Sequence, residues 1–292
     1  MSKLRSCSVV LLLIVGVFLL GSVADAGDTV VSVGLGVDFA TGDYGTGLTT
    51  DSVAVPLIVD IYPTKRLEFE LVIPYLYQSN SYTVAAGGIR FRNNGYAAYG
   101  GSLLGYGLNG NGSGGSTAGL LYALSVDDAS RSQSGLGNIS LKAGYVVLEE
   151  GTFAPQVKPM LYVEFPTADK DKGLGTGEFV TGVGASLDKW FGSWRAYAEG
   201  MYNFQGSSDL YDLKDFFSYE AGVGYQVTDR FQSNLALLGA TEPAEGASDL
   251  LETRVKITYR LSGRGSLEGY LAAGLTSGSP DFGAGVAAFY DF

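Results

Sequence analysis

The 292-residue chain carries 43 glycines, 19 tyrosines and 15 phenylalanines, only 17% charged residues, and no histidine. A formal charge of -11 argues against nucleic acid as a partner, because phosphates call for basic residues. Lacking histidine as proton shuttle, the chain excludes the serine-histidine and aspartate-histidine catalysis of barrel enzymes.

The first segment reads as a secretory signal. Lys3 and Arg5 precede an apolar run from Val9 to Leu20, and Val23-Ala24-Asp25-Ala26 offers the small residues at which cleavage is expected, after Ala26. The single cysteine, Cys7, leaves with that peptide, so the mature chain has no disulfide or thiol chemistry. Residues 27–292 then form one domain in which no run of eighteen apolar residues remains for a spanning helix.

Strict two-residue alternation takes over. Val31, Val33, Leu35, Val37 and Phe39 share one face, and Ser32, Gly34, Gly36 and Asp38 the other. Ser52 to Tyr62 repeats the pattern and ends at the turn Pro63 to Arg66; Leu67 to Tyr77 then sets apolar residues against Glu68, Glu70 and Gln78. Segments of ten to thirteen residues suit tilted strands that cross a bilayer with alternating lipid-facing and lumen-facing side chains.

Residues 85–135 break the pattern. This glycine- and asparagine-rich stretch is expected to be a long external loop or one that enters the barrel to narrow or gate it, with Leu103, Leu104, Leu120, Leu121 and Tyr122 supplying apolar contacts. Alternation resumes at Leu136, and the next strand, Phe153 to Phe165, contains Pro155 and Pro159, which cannot donate to a ladder and imply a bulge. Further strands are expected at Phe179–Trp190, Trp194–Gln205, Phe217–Thr228, Phe231–Thr241, Leu251–Arg260, Leu267–Thr276 and Phe282–Phe292.

Long and short connections alternate, as they do in outer-membrane barrels. The expected fold is therefore all-β: an antiparallel transmembrane β-barrel of about twelve strands, with both termini in the periplasm of a bacterial cell. Glu68, Glu70, Lys142, Lys158, Glu164, Arg195, Glu199, Glu220, Glu252, Arg254, Lys256, Arg260 and Glu268 are expected to line the lumen, paired across strands to offset desolvation. The chain ends Phe289-Tyr290-Asp291-Phe292, similar to the insertion signal by which outer-membrane proteins engage the barrel-assembly machinery.

Other motifs are weaker. Lys170 to Gly175 lacks the order of a phosphate loop, and the spacing of Asp169, Asp171 and Glu178 is not that of a recognised calcium loop. No catalytic residue, cofactor or metal site is expected.

Gly135-Leu136-Gly137-Asn138-Ile139-Ser140-Leu141, Phe165-Pro166-Thr167-Ala168-Asp169 and Gly173-Leu174-Gly175-Thr176-Gly177-Glu178 carry a resemblance, with Asp60-Ile61-Tyr62-Pro63, Arg66-Leu67-Glu68 and Ile73-Pro74-Tyr75 before them. From about Val53 onward the chain resembles the bacterial family labelled putative MetA-pathway of phenol degradation, departing from its pattern at Ala168, where the family commonly has glycine. The resemblance implies an outer-membrane, transporter-like barrel passing aromatic or other hydrophobic compounds. Two functions follow: a channel for small solutes, held in outer-membrane lipid, or a non-conducting structural or surface-interaction barrel.

Overall fold

The computed structural model describes residues 30–93, 130–261 and 263–292. The signal-like segment and Leu103, Leu104, Leu120, Leu121 and Tyr122 lie outside these residues. The strands are β1 (Val30–Gly42), β2 (Thr50–Tyr62), β3 (Leu67–Gln78), β4 (Thr83–Ala86), β5 (Ile89–Arg92), β6 (Gln133–Leu136), β7 (Ile139–Tyr145) and β8 (Gln156–Phe165). They continue as β9 (Val180–Phe191), β10 (Trp194–Gln205), β11 (Phe216–Thr228), β12 (Phe231–Ala240), β13 (Leu250–Arg260), β14 (Gly265–Gly274) and β15 (Phe282–Asp291).

The wall strands pair antiparallel, β1 with β15 and β2 with β3, so the sheet closes on itself. β6 and β7 both pair with β3 as the two halves of one wall position, which makes a closed barrel of twelve strands. The short turns gather at one end of the barrel and the long loops at the other, and both ends of the described chain lie at the short-turn end.

Period two decides which side chains meet lipid. Leu35, Val223, Leu235, Val255, Leu271 and Val286 all lie on the outer face and are about half exposed. Aromatic rings flank this apolar band. Trp194 packs on Tyr225 at 4.8 Å and Tyr290 on Phe292 at 5.0 Å near the short turns, and Tyr202 meets Phe204 at 5.0 Å and Phe217 meets Tyr219 at 6.0 Å near the long loops. Such girdles mark the two boundaries of a bilayer.

Three expectations need adjustment. The eleventh expected strand, Leu267–Thr276, is β14 at Gly265–Gly274, because its ladder starts at Gly265 opposite Tyr290. The unpatterned stretch is not without strands: β4 and β5 form a hairpin that begins two residues before Ala85. The irregularity at the prolines falls on the partner strand. β7 and β8 keep one register from Ile139 opposite Phe165 to Gly144 opposite Met160, and pairing resumes one residue out of step at Leu148 opposite Val157. Pro159, between the two stretches, has no N–H to give the ladder.

Candidate functional site

The β4–β5 hairpin folds into the mouth of the barrel. Its Gly87-Gly88 turn takes φ of 60° and 75°, the left-handed pair that a two-residue hairpin loop requires. Val84, Ala86 and Phe91 are buried with Val180 of β9, Tyr211 and Ala244, and Ile89 packs against the cluster of Phe216, Ala240 and Leu250.

The hairpin tip ends on a carboxylate of the wall. Glu164, 4% exposed, accepts from Gly87 N at 3.0 Å on Oε1 and from Gly88 N at 3.2 Å on Oε2. Asn138 Nδ2 (2.8 Å) and the Tyr162 hydroxyl (2.9 Å) complete a shell of four donors, which compensates a buried carboxylate. Asn138 is itself held, because its Oδ1 accepts from Ala168 N at 3.0 Å, while Thr167 Oγ1 donates to Gly137 O at 2.7 Å and accepts from Ile139 N at 2.9 Å. The Gly-Leu-Gly-Asn and Phe-Pro-Thr-Ala motifs thus position Glu164. The third motif joins them: Gln78 Nε2 reaches the carbonyls of Lys172 (3.4 Å) and Gly173 (3.3 Å), and buried Leu174 packs on Leu76 and Ala168. Lys170–Lys172 is a single 3-10 turn capped by the Asp169 side chain.

Below the hairpin, register puts all thirteen expected lumen residues on the inner face, and most are brought together as pairs. Lys158 Nζ lies 2.5 Å from Glu68 and Lys142 Nζ 3.1 Å from Glu70. Lys256 Nζ lies 2.5 Å from Glu220 Oε1, which also accepts the Tyr197 hydroxyl at 2.9 Å. Arg254 Nε donates to Glu252 at 2.7 Å, and its guanidinium lies 4.8 Å over the ring of Tyr270. Arg195 pairs instead with Asp188, a residue outside the expected set. Glu199 stands directly opposite Glu220 between β10 and β11, within the field of Lys142. Glu268 and Arg260 belong to a smaller cavity at the short-turn end, together with Arg230 and Asp291.

A cavity of about 520 Å³ lies between the hairpin tip and this belt. Its walls include Arg90, Tyr44, Lys142, Glu199, Glu220, Glu252, Arg254 and Lys256, interleaved with Ile89, Met201, Leu238 and Leu250. Burial pushes the Tyr44 phenol up, so the hydroxyl stays neutral at physiological pH.

Sequence reasoning missed Asp60 and Asp188, which parity alone places on the inner face of β2 and β9. Arg90 and Tyr44 carried no such signal because they lie off the alternating strands. A Gly-Gly pair between Val84-Ala85-Ala86 and Ile89 was the available hairpin cue.

Comparison with known proteins adds three findings. The profile of the family described as "Putative MetA-pathway of phenol degradation" matches residues 78–292. A COG4313 outer membrane channel from Pseudomonas putida F1 is similar in structure, with a TM-score of 0.59 at 16% identity, covering 92% of this chain and 97% of that one. The translocator domain of the autotransporter NalP from Neisseria meningitidis aligns with a TM-score of 0.48 at 10% identity, over 98% of each chain. None of the curated proteins compared with this chain matches it.

Proposed function

The chain belongs to the family described as "Putative MetA-pathway of phenol degradation", and from that premise we propose that it is a bacterial outer-membrane channel for passive passage of small molecules, hydrophobic or aromatic ones among them. The observation that carries this reading is a closed barrel, lipid-compatible outside, whose interior holds a mixed polar and apolar cavity. The structural likeness to an outer membrane channel supports the same fold and location. In this reading the short turns face the periplasm, Phe292 and Tyr290 present the assembly signal, and the ion-paired belt filters solutes by charge.

A non-conducting barrel is the second reading, favoured by the hairpin seated in the mouth. Refolded protein in a planar bilayer decides between them, measured intact and with Thr83–Arg92 removed. Discrete openings that grow on removal support a channel constricted by the hairpin. Silence in both forms, from protein shown to be folded, overturns the aqueous-channel reading and favours a structural role.

A further inference from the structure

The charges that line the main cavity are unequal in one respect. Lys142, Arg254 and Lys256 each pair with a carboxylate, of Glu70, Glu252 and Glu220. Arg90 does not. Its Nη1 donates to two neutral oxygens, Gln78 Oε1 at 2.5 Å and Thr83 Oγ1 at 3.1 Å, and among the described residues no carboxylate pairs with it. A guanidinium enclosed in a barrel without a counter-charge is costly, which argues for an anion that arrives from outside.

The surroundings say what kind of anion. The guanidinium is a planar fork with five donors, and the two hydrogen bonds on Nη1 leave Nε and Nη2 for a bidentate carboxylate. Tyr44 lines the same cavity. So do Ile89, Met201, Leu238 and Leu250, which suit an apolar body, and the volume of about 520 Å³ is that of a small-ligand site. Glu199 and Glu220 line the cavity too, where they would repel a second negative charge.

We propose that Arg90 and the cavity beneath the hairpin form a subsite for a small organic monocarboxylate, the carboxylate on the guanidinium and the apolar body among Ile89, Met201, Leu238 and Leu250. This deepens the channel reading by naming a solute class and rests on it. Since Arg90 lies on β5, two residues after Gly88, whose N–H Glu164 accepts, a bound solute would touch the hairpin itself.

The test is calorimetric titration of the folded full-length protein in detergent with benzoate, and with benzamide and benzylamine as its neutral and cationic counterparts. Benzoate is expected to bind at least about tenfold more tightly than either, and Arg90→Gln to remove that preference, with Arg90→Lys retaining part of it because the charge stays and the fork is lost. Equal binding of benzoate and benzamide to the unaltered protein, or no binding of benzoate, overturns the assignment without relying on any variant. Because binding is read without a current, a silent barrel that prefers benzoate defeats the channel reading alone, and a conducting barrel indifferent to benzoate defeats only the subsite.

Discussion

Glu164, in the barrel wall, accepts the backbone N–H of Gly87, at the tip of the hairpin, at 3.0 Å. Strand and hairpin are 77 residues apart in sequence, so this bond ties the long-loop segment to the finished wall. Replacing Glu164 by Ala removes the acceptor for four donors. We expect the hairpin to lose about 3 kcal/mol or more of docking energy, because two of the four bonds hold it and each bond to a charged acceptor contributes about 1.5–3 kcal/mol. Hydrogen exchange of the amides from Thr83 to Arg92 checks it: protection should fall there and persist in β9 to β15.

The two glycines of the turn should differ under the same substitution. Both have positive φ, which disfavours any L side chain by about 1 kcal/mol. A methyl group on Gly87 would also press on the ring of Phe216, 2.5 Å from the added carbon, whereas one on Gly88 meets nothing. Gly87→Ala is therefore expected to release the hairpin more than Gly88→Ala, by a further 1 kcal/mol or more in the same exchange experiment. Equal effects would show that Phe216 yields freely.

Acid should loosen two loop contacts before it touches the sheet. The Lys189 ammonium and then the Trp190 N–H hold the Glu150 carboxyl below its ordinary 4.5, and the Lys214 ammonium and then the Gly246 N–H do so for Glu242. A depressed folded-state value means the contribution is present above the ordinary glutamate value and is lost as pH falls through the lower, folded one. Both groups are exposed, so the effect is local and salt-sensitive. Carboxyl chemical shifts should titrate below 4.5 for both residues, and Lys189→Met should return Glu150 toward that value.

The aromatic residues at the C-terminus divide by face. Tyr290 and Phe292 meet edge to face on the outer surface, whereas Phe289 points inward over Gly34, where a Cβ would enter its ring. Phe289→Ala is expected to lower the stability of the folded barrel by about 2–3 kcal/mol through lost packing. Phe292→Ala is expected to leave that stability nearly unchanged and to reduce insertion yield in cells. Denaturant titration of refolded protein, set beside membrane yield, separates the two.

The barrel was legible in the sequence because each strand obeys one rule, and β13 shows why: Leu251, Thr253, Val255, Ile257 and Tyr259 oppose Glu252, Arg254, Lys256 and Arg260 with no interruption. The same parity located the inner-face charges. It could not choose their partners, since Arg195 meets Asp188 across a register fixed only by folding. The hairpin was illegible for another reason: Val84, Ala86 and Phe91 are buried by residues from distant loops, so four-residue strands suffice where lone alternation would be too short to register.

The seam between β1 and β15 joins the two strands of the wall that lie farthest apart in sequence. Ser32 pairs with Asp291, and Phe292 N donates to Val31 O at 2.9 Å, so the contacts that complete the ring join segments separated by almost the whole described chain. Until that seam zips, two strands present open hydrogen-bonding edges to anything nearby, including another copy. The enclosed interior exists only once that pairing is made, and a polypeptide without it is a sheet looking for a partner.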